Sequence, residues 1–288
     1  MRSLIDIGSK RVEVSVTGKG QSVVILPGLA SSIYEWELLT NELSNHAQVI
    51  IFHRSGCGRS ELDDEKRNTS ATVKDLFSLL NRLDVDGPVI LVGHSYGGLC
   101  AQHFAFVHPE KVHSVVLVES NSADYELLNE VIGPQSAQWS TMYRAFAKMA
   151  EDQIKDRLKP QLSPEIQKYS ADIKERVIQF KINPSMYQAL ADELDEMPKC
   201  AETIKKYGAF NNIPLIVIGR DPERSIQLMV LQGMPEEQAR KIELVWQDLI
   251  KGQMKLSATN QYMMASSGHG VYVEDPDIII KAILALLD

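Results

Sequence analysis

The residues with the clearest chemical potential form a G-x-S-x-G pattern, Gly93, His94, Ser95, Tyr96 and Gly97. The pattern joins an apolar run to a segment with helical spacing, so it predicts a sharp turn between a buried strand and a helix. Flanking glycines leave room for that turn, whose central residue has a strained backbone. The turn exposes Ser95 at the carboxyl end of the strands, where open parallel sheets bind ligands. We therefore interpret Ser95 as a nucleophile.

A serine hydroxyl is a weak nucleophile near neutral pH, so this chemistry needs a base, and histidine is the natural choice. The chain has seven histidines. His269 stands between the last predicted strand and the final predicted helix. Gly268 and Gly270 beside it permit a tight loop. His269 is therefore one candidate for the base.

The elements that must position these residues follow an α/β pattern from Ser22 to Ser120. Short apolar runs (VVIL, VIIF, VILV, VVLV) alternate with helical patterns, and their lack of polar alternation is typical of strands buried on both faces. We expect a mainly parallel central sheet flanked by helices. The opening segment alternates apolar and polar residues around Gly8-Ser9, which predicts an antiparallel hairpin at the sheet edge.

Residues 121–207 contain no strand-like run and indicate amphipathic helices. The expected helix breaks are Gly133-Pro134, Pro160, Pro164 and Pro184. The acidic run with Glu193, Asp195 and Glu196 is interpreted as a solvated helix face. After residue 207 we expect a strand (IPLIVIG), a helix that includes 243–250, a strand (QYMMA) and a last helix capped by Asp275 with Pro276 in its first turn. The sequence thus predicts a core of residues 1–120 and 208–288 with a helical insertion at 121–207.

The chain resembles the α/β-hydrolases over nearly its whole length apart from the insertion. The resemblance rests on the G-x-S-x-G turn and on the turn D-R-x-G-x-G-x-S, which here begins with His53 and Arg54 and ends with Ser60. His53 replaces the family's acid and is expected to be structural. The resemblance implies that the insertion is a cap domain and that His269 is the catalytic base.

The same resemblance implies a carboxylate between Ser95 and His269 in chain order, and two residues compete for that role. The common family position follows the seventh strand as G-x-x-D, but here Asp221 is only two residues after Gly219. Glu119 lies at the end of the sixth strand, where haloalkane dehalogenases and coelenterazine luciferases have a glutamate. We favour Glu119 and keep Asp221 as the alternative.

An acyl-transfer site also needs donors for an oxyanion. The residue after the nucleophile supplies one, the N–H of Tyr96. By resemblance the second is the N–H of Leu29, in a loop where Pro27 replaces the family's histidine. These residues together predict a serine hydrolase of carboxylic esters that works through an acyl-enzyme. The alternatives are cleavage of another bond (C–C, amide, thioester or N-terminal peptide) and a non-catalytic receptor or scaffold.

Composition excludes several other classes. The chain has 288 residues, 44% of them apolar, and a formal net charge of −8, which argues against disorder and against nucleic acid as a partner. Its apolar runs fall far short of the roughly 20 residues that span a bilayer. We expect a cytoplasmic protein with a small-molecule substrate, no cofactor and no metal. The odd number of cysteines predicts no disulfide framework; they are Cys57, Cys100 and Cys200.

Overall fold

The structure, a computed structural model, describes residues 2–133, 135–210 and 212–287. Its strands are β1 (Arg2–Asp6), β2 (Arg11–Thr17), β3 (Ser22–Leu26), β4 (Gln48–Phe52), β5 (Val89–His94), β6 (Val112–Val118), β7 (Leu215–Gly219) and β8 (Asn260–Met264). Its α-helices are α1 (Glu37–Leu43), α2 (Thr69–Arg82), α3 (Tyr96–Val107), α4 (Glu126–Ile132), α5 (Gln135–Phe146), α6 (Glu151–Leu158), α7 (Ala171–Lys181), α8 (Pro184–Lys205), α9 (Pro222–Leu231), α10 (Glu236–Gly252), α11 (Val271–Glu274) and α12 (Pro276–Leu284). Short 3-10 turns lie at Ile33–Trp36, Pro109–Lys111, Ile166–Lys168 and Gln253–Leu256.

The strands pair in the order β1-β2-β4-β3-β5-β6-β7-β8. All pairs from β4 to β8 in that order are parallel, whereas β2 is antiparallel to both β1 and β4. The predicted α/β-hydrolase fold, with a mainly parallel central sheet, is confirmed. The predicted edge hairpin is also confirmed, and Gly8 in its connection has a φ of 96°, a conformation that glycine adopts without steric penalty.

Two apolar cores lie on opposite faces of the sheet, because successive strand residues point to opposite sides. In β3, Val24 and Leu26 join the core formed with α2 and α3, whereas Val23 and Ile25 join the core formed with α1 and α12. Helices therefore cover both faces. This double burial explains why the strands are apolar at consecutive positions.

Helices α4 to α8 fill the chain between β6 and β7, and the described residues there form no strand. The predicted breaks coincide with helix ends, since α4 ends at Ile132, α6 ends at Leu158 and Pro184 begins α8. Pro134 lies outside the described residues. This stretch therefore has the helical character that its sequence predicts.

Helices α5 to α8 share an apolar cluster of their own. Its buried members are Cys57, Phe146, Ile154, Phe180, Ile182, Met186, Tyr187, Ala189 and Leu190. Cys57 comes from the turn after β4, and Leu29 from the loop after β3 packs against the cluster. The cluster thus holds the helices of this segment against the turns at the carboxyl end of the sheet.

Two expectations for single side chains are wrong. Glu193 does not lie on a solvated face: it is 1% exposed, because this side of α8 packs against the sheet core and meets the guanidinium of Arg54. Asp275 does not cap α12 with its side chain. Its carboxylate instead accepts a hydrogen bond from the N–H of Ser266 at 2.8 Å, because the loop after β8 folds back over the start of that helix.

Helix α9 is absent from the sequence prediction, although a local signal was available. Asp221 is its N-cap and accepts hydrogen bonds from the N–H groups of Glu223 and Arg224, and Pro222 is its first residue. An N-cap aspartate followed directly by proline is a helix-start signature.

His53 is buried in the turn after β4, as predicted. Its Nδ1 donates to Glu13 Oε2 at 2.9 Å, and its Nε2 accepts from the N–H of Ile33 at 3.0 Å. Burial lowers the pKa of His53, so the ring is neutral at pH 7. Glu13, from β2, provides a carboxylate where position 53 lacks one. A Cβ atom on Gly58 would lie 2.1 Å from His53 Nδ1, so this turn requires glycine.

Candidate active site

Ser95 occupies the turn between β5 and α3, with a φ of 52° and a ψ of −122°. Non-glycine residues rarely adopt positive φ, and such strain is concentrated at functional sites. Neighbouring glycines permit the turn: a Cβ on Gly93 would lie 2.6 Å from Gly97 O, and a Cβ on Gly97 would lie 2.0 Å from Leu26 O. The strand–turn–helix context predicted from G-x-S-x-G is therefore present.

Glu119 follows β6 directly and is fully buried. Its φ of 46° is also positive, and its N–H donates to Ile218 O at 2.8 Å. Its carboxylate accepts hydrogen bonds from the N–H of Arg220 at 2.8 Å, from Trp246 Nε1 at 3.0 Å and from His269 Nδ1 at 3.0 Å. Arg220 N and Trp246 Nε1 can only donate, so both carboxylate oxygens of Glu119 act as hydrogen-bond acceptors.

His269 lies in the loop after β8 and is 42% exposed through its side chain. Because a carboxylate only accepts, the contact with Glu119 assigns the proton to Nδ1 and leaves Nε2 as an acceptor. The Ser95 hydroxyl donates to Asn121 Oδ1 at 3.1 Å, and within the described residues it forms no hydrogen bond with His269. Ser95 and His269 nevertheless line one cavity. The structure thus brings Glu119 to His269 and leaves the serine paired with an amide.

Asp221, the competing acid, is used differently. Its carboxylate caps α9 by accepting from Glu223 N at 2.9 Å, and its N–H donates to Ser267 O at 2.9 Å. It is therefore close in space to the loop of His269, but the imidazole contacts Glu119 instead.

Leu29 and Tyr96, the candidate oxyanion donors, flank the serine turn. A Cβ on Gly28 would lie 3.0 Å from the Cβ of Ser95, so the loop after β3 passes directly beside Ser95. The N–H of Leu29 makes no hydrogen bond within the described residues. Tyr96 is the first residue of α3, so its N–H is among those without an intrahelical partner. Both amides are available to an anion.

His94 is a contributor that the sequence analysis mentioned only as a member of the G-x-S-x-G pattern. Its Nε2 donates to the backbone carbonyl of His269 at 2.9 Å, and the two rings lie 4.8 Å apart. Burial and the charge of His269 lower the pKa of His94 to about 3. A neutral His94 therefore supports the loop that carries His269. Its place next to Ser95 in the motif was the only sequence signal.

Trp246 and Arg220 are also contributors that the sequence did not single out. The guanidinium of Arg220 lies 4.8 Å from the centre of the Trp246 ring and forms a salt bridge with Glu243 at 2.6 Å. Its Nη1 is 3.4 Å from Glu119 Oε2. Trp246 and Glu243 lie one turn apart on α10, a spacing compatible with one helix face, but nothing local marked that face as part of a site.

A cavity of about 360 Å³ opens beside Ser95 and His269. Its polar end includes Ser95, Asn121 and His269. Most of its remaining surface is apolar. The segment between β6 and β7 contributes Tyr125, Leu128, Ile132, Trp139, Leu194 and Met197, and α10 contributes Ile242, Trp246, Leu249 and Ile250. A larger cavity of about 560 Å³ between α4 and α10 includes neither Ser95 nor His269. The smaller cavity is therefore the candidate substrate site.

Comparisons with known proteins agree with this architecture. A family model described as alpha/beta hydrolase fold matches residues 21–159. A thermophilic esterase from Thermogutta terrifontis, solved with malate bound, has a TM-score of 0.67 at 19% identity over 100% of this chain and 98% of that one. A laboratory-evolved variant of potato epoxide hydrolase has a TM-score of 0.73 at 15% identity over 100% and 98%. This chain has the α/β-hydrolase fold.

Curated relatives match this chain over shorter stretches. The human mitochondrial palmitoyl-protein thioesterase ABHD10 is 35% identical over 103 residues, which are 34% of this chain and 33% of that protein. The 2-hydroxy-6-oxo-6-(2'-aminophenyl)hexa-2,4-dienoic acid hydrolase of Metapseudomonas resinovorans is 27% identical over 119 residues, 40% of this chain and 41% of that protein. The matched stretch spans less than half the length of either relative.

Two further observations concern the described residues alone. None of their helices combines the length and apolar character needed to cross a membrane. Their histidines, cysteines, aspartates and glutamates contain no group of three or more that could hold a metal ion.

Proposed function

We propose that this protein is a serine hydrolase that cleaves carboxylic esters of small molecules. The observation that carries the proposal is the hydrogen bond of Glu119 to His269 beside the cavity that Ser95 also lines. A buried acid paired with a base, and a strained serine that lines the same cavity as that base, form the arrangement that activates a hydroxyl nucleophile.

In the proposed reaction the Ser95 hydroxyl leaves Asn121, gives its proton to His269 Nε2 and attacks the ester carbonyl. Glu119 holds the imidazole through Nδ1 and stabilises the imidazolium. The N–H groups of Leu29 and Tyr96 bind the resulting oxyanion. His269 then returns the proton to the leaving alcohol, and a water molecule, deprotonated by the same imidazole, hydrolyses the acyl-enzyme.

We also propose that residues 121–207 act as a cap over this site, with residues 1–120 and 208–288 as the catalytic core. Support comes from the cavity lining, to which Leu128, Ile132, Leu194 and Met197 contribute apolar side chains. Such a lining favours substrates with an apolar acyl or alcohol group. A series of p-nitrophenyl esters of increasing acyl length tests this preference through kcat/KM.

Thioesters are the second candidate substrates, because the matched relative ABHD10 is named a palmitoyl-protein thioesterase. The same serine, histidine and oxyanion donors serve both bonds. An epoxide is a poorer substrate for this site, since serine attack on the ring would leave an ether that water does not readily hydrolyse. Parallel assays with an oxygen ester and the thioester of the same acyl group rank the two bond classes.

The decisive experiment compares wild type, Ser95→Ala and the matched control Ser185→Ala, which removes an exposed hydroxyl from α8. We expect wild type and the control to hydrolyse p-nitrophenyl butyrate and to be labelled by a fluorophosphonate, and Ser95→Ala to do neither. Hydrolysis by Ser95→Ala at the wild-type rate contradicts the serine mechanism. A folded wild-type protein that neither labels nor turns over substrate supports the scaffold alternative.

A further inference from the structure

Arg54, in the turn after β4, is a buried cation that contacts both sides of the candidate oxyanion site. It is 5% exposed. Its Nη1 donates to Pro27 O, and its Nη2 donates to Gly28 O at 3.2 Å. Gly28 immediately precedes Leu29, whose N–H is one proposed oxyanion donor. The guanidinium thus holds the two carbonyl groups that orient this loop.

The same guanidinium lies against the second donor residue. Its central carbon is 5.2 Å from the centre of the Tyr96 ring, and Tyr96 is fully buried. Since Tyr96 begins α3, this contact fixes the helix start that supplies the other N–H. One side chain therefore touches both segments whose backbones would bind the oxyanion.

Glu193 on α8 completes the arrangement. Its carboxylate accepts from Arg54 Nε at 2.6 Å and from Nη2 at 3.0 Å, and it is 1% exposed. Planar, two-point pairing fixes the orientation of a guanidinium more strictly than a single contact does. Removal of either partner would leave a buried charge without compensation. The position of Arg54 thus depends on a residue from the helices between β6 and β7.

We infer that Arg54 and Glu193 are positioning residues that set the oxyanion donors, so that docking of α8 controls turnover. The inference rests on the proposed function, because it assigns the N–H groups of Leu29 and Tyr96 to the oxyanion. It goes beyond that function by making catalysis depend on one buried ion pair between the proposed cap and the catalytic core. The acidic run of α8 then has two separate roles: Glu193 faces inward, and Glu196 pairs with exposed Lys66 at 3.0 Å.

Glu193→Gln and Glu196→Gln form a matched pair of variants. Each removes one carboxylate of α8 that pairs with a cation outside the helix, but only the first contacts Arg54. The measurements are kcat and KM for p-nitrophenyl butyrate and the inhibition constant of a propyl trifluoromethyl ketone. In that adduct Ser95 Oγ bonds to the ketone carbon, the carbonyl oxygen becomes the oxyanion and the serine proton moves to His269, so its affinity reports on the oxyanion donors.

We expect Glu193→Gln to lower kcat and to weaken the ketone by about 10- to 100-fold, a part of the ~10²–10³-fold effect of deleting an oxyanion donor. KM should stay within about twofold, because the hydrogen bonds to the oxyanion form in the tetrahedral state rather than in the ground state. Glu196→Gln should match the wild type in all three constants. A general loss of stability would not weaken ketone binding while leaving KM nearly unchanged.

A double variant, Arg54→Met with Glu193→Met, keeps the test valid if the single variant unfolds. Apolar replacement of a whole buried ion pair often preserves folding, but it removes the donors to the Pro27 and Gly28 carbonyls. We expect a folded protein with lowered kcat and lowered ketone affinity. Wild-type kcat and ketone affinity in the double variant, or in Glu193→Gln, overturn the inference while leaving the proposed function intact. A wild type that neither turns over ester nor reacts with fluorophosphonate overturns both.

Discussion

Replacing Glu119 with glutamine removes the negative charge that faces the Nδ1 proton of His269. The two groups are 3.0 Å apart. At an effective dielectric constant of about 20, a full imidazolium–carboxylate pair at that distance is worth about 5.5 kcal/mol. If most of this interaction is lost in the transition state, kcat/KM falls by about 10³–10⁴-fold, since each 1.36 kcal/mol is a factor of ten.

The hydrogen bonds around Glu119 leave a glutamine no good alternative. Its amide has one oxygen and one NH₂ group, but Arg220 N, Trp246 Nε1 and His269 Nδ1 all donate to this position. With the oxygen toward His269, the NH₂ group opposes the N–H of Arg220. In the reverse orientation it opposes two donors and favours the wrong imidazole tautomer, which in a Ser-His-Asp enzyme lowers kcat by about 10⁴-fold.

Asp221→Asn is the matched control, because asparagine caps helices about as well as aspartate. We expect its kcat/KM to stay within about twofold of wild type, since the Asp221 carboxylate bonds to the start of α9 rather than to His269. The assay is hydrolysis of p-nitrophenyl butyrate at pH 7.5, with circular dichroism to confirm that each variant is folded. A large loss in Asp221→Asn together with a nearly active Glu119→Gln would refute the assignment of the acid.

Other side chains around the site lead to equally specific expectations. Because burial lowers the pKa of His94 to about 3 from about 6.5 in an unfolded chain, the unfolded state binds the extra proton and stability falls as the pH drops below 6.5. Urea titrations at pH 7.5 and 5.0 give the drop in unfolding free energy over this range, and the drop should be about 2 kcal/mol smaller in His94→Gln than in wild type. An equal drop in the two proteins contradicts a neutral His94. Gly97→Ala should lower the unfolding free energy by about 3 kcal/mol, because its Cβ would meet Leu26 O at 2.0 Å; wild-type stability would exclude that close approach. Trp246→Phe keeps an aromatic side chain but removes a donor to Glu119, so kcat/KM should fall about tenfold. An unchanged kcat/KM would show that this hydrogen bond does not contribute to catalysis.

Local signals in the sequence were sufficient for the sheet and for the serine turn. Consecutive apolar residues predicted doubly covered strands, and the glycines around Ser95 predicted a turn that tolerates no other side chain. Both depend on the sterics of neighbouring residues in the chain, which the sequence displays directly. Resemblance to a family added the loop of His269, whose glycines alone would fit many surface turns.

Contacts between distant elements could not be predicted in the same way. Which carboxylate touches His269 depends on how the loops after β6, β7 and β8 meet, and the sequence therefore left Glu119 and Asp221 both open. Glu193 was expected in solvent because the cation that buries it, Arg54, is 139 residues away in the chain. Hydrophobic spacing specifies which helix face is apolar, but a charged residue buried in an ion pair breaks that pattern. Only the folded chain shows which residue such a charge pairs with. The serine turn was thus specified by neighbouring residues, whereas the proposed base, the proposed acid and the charges around them were brought together by tertiary packing.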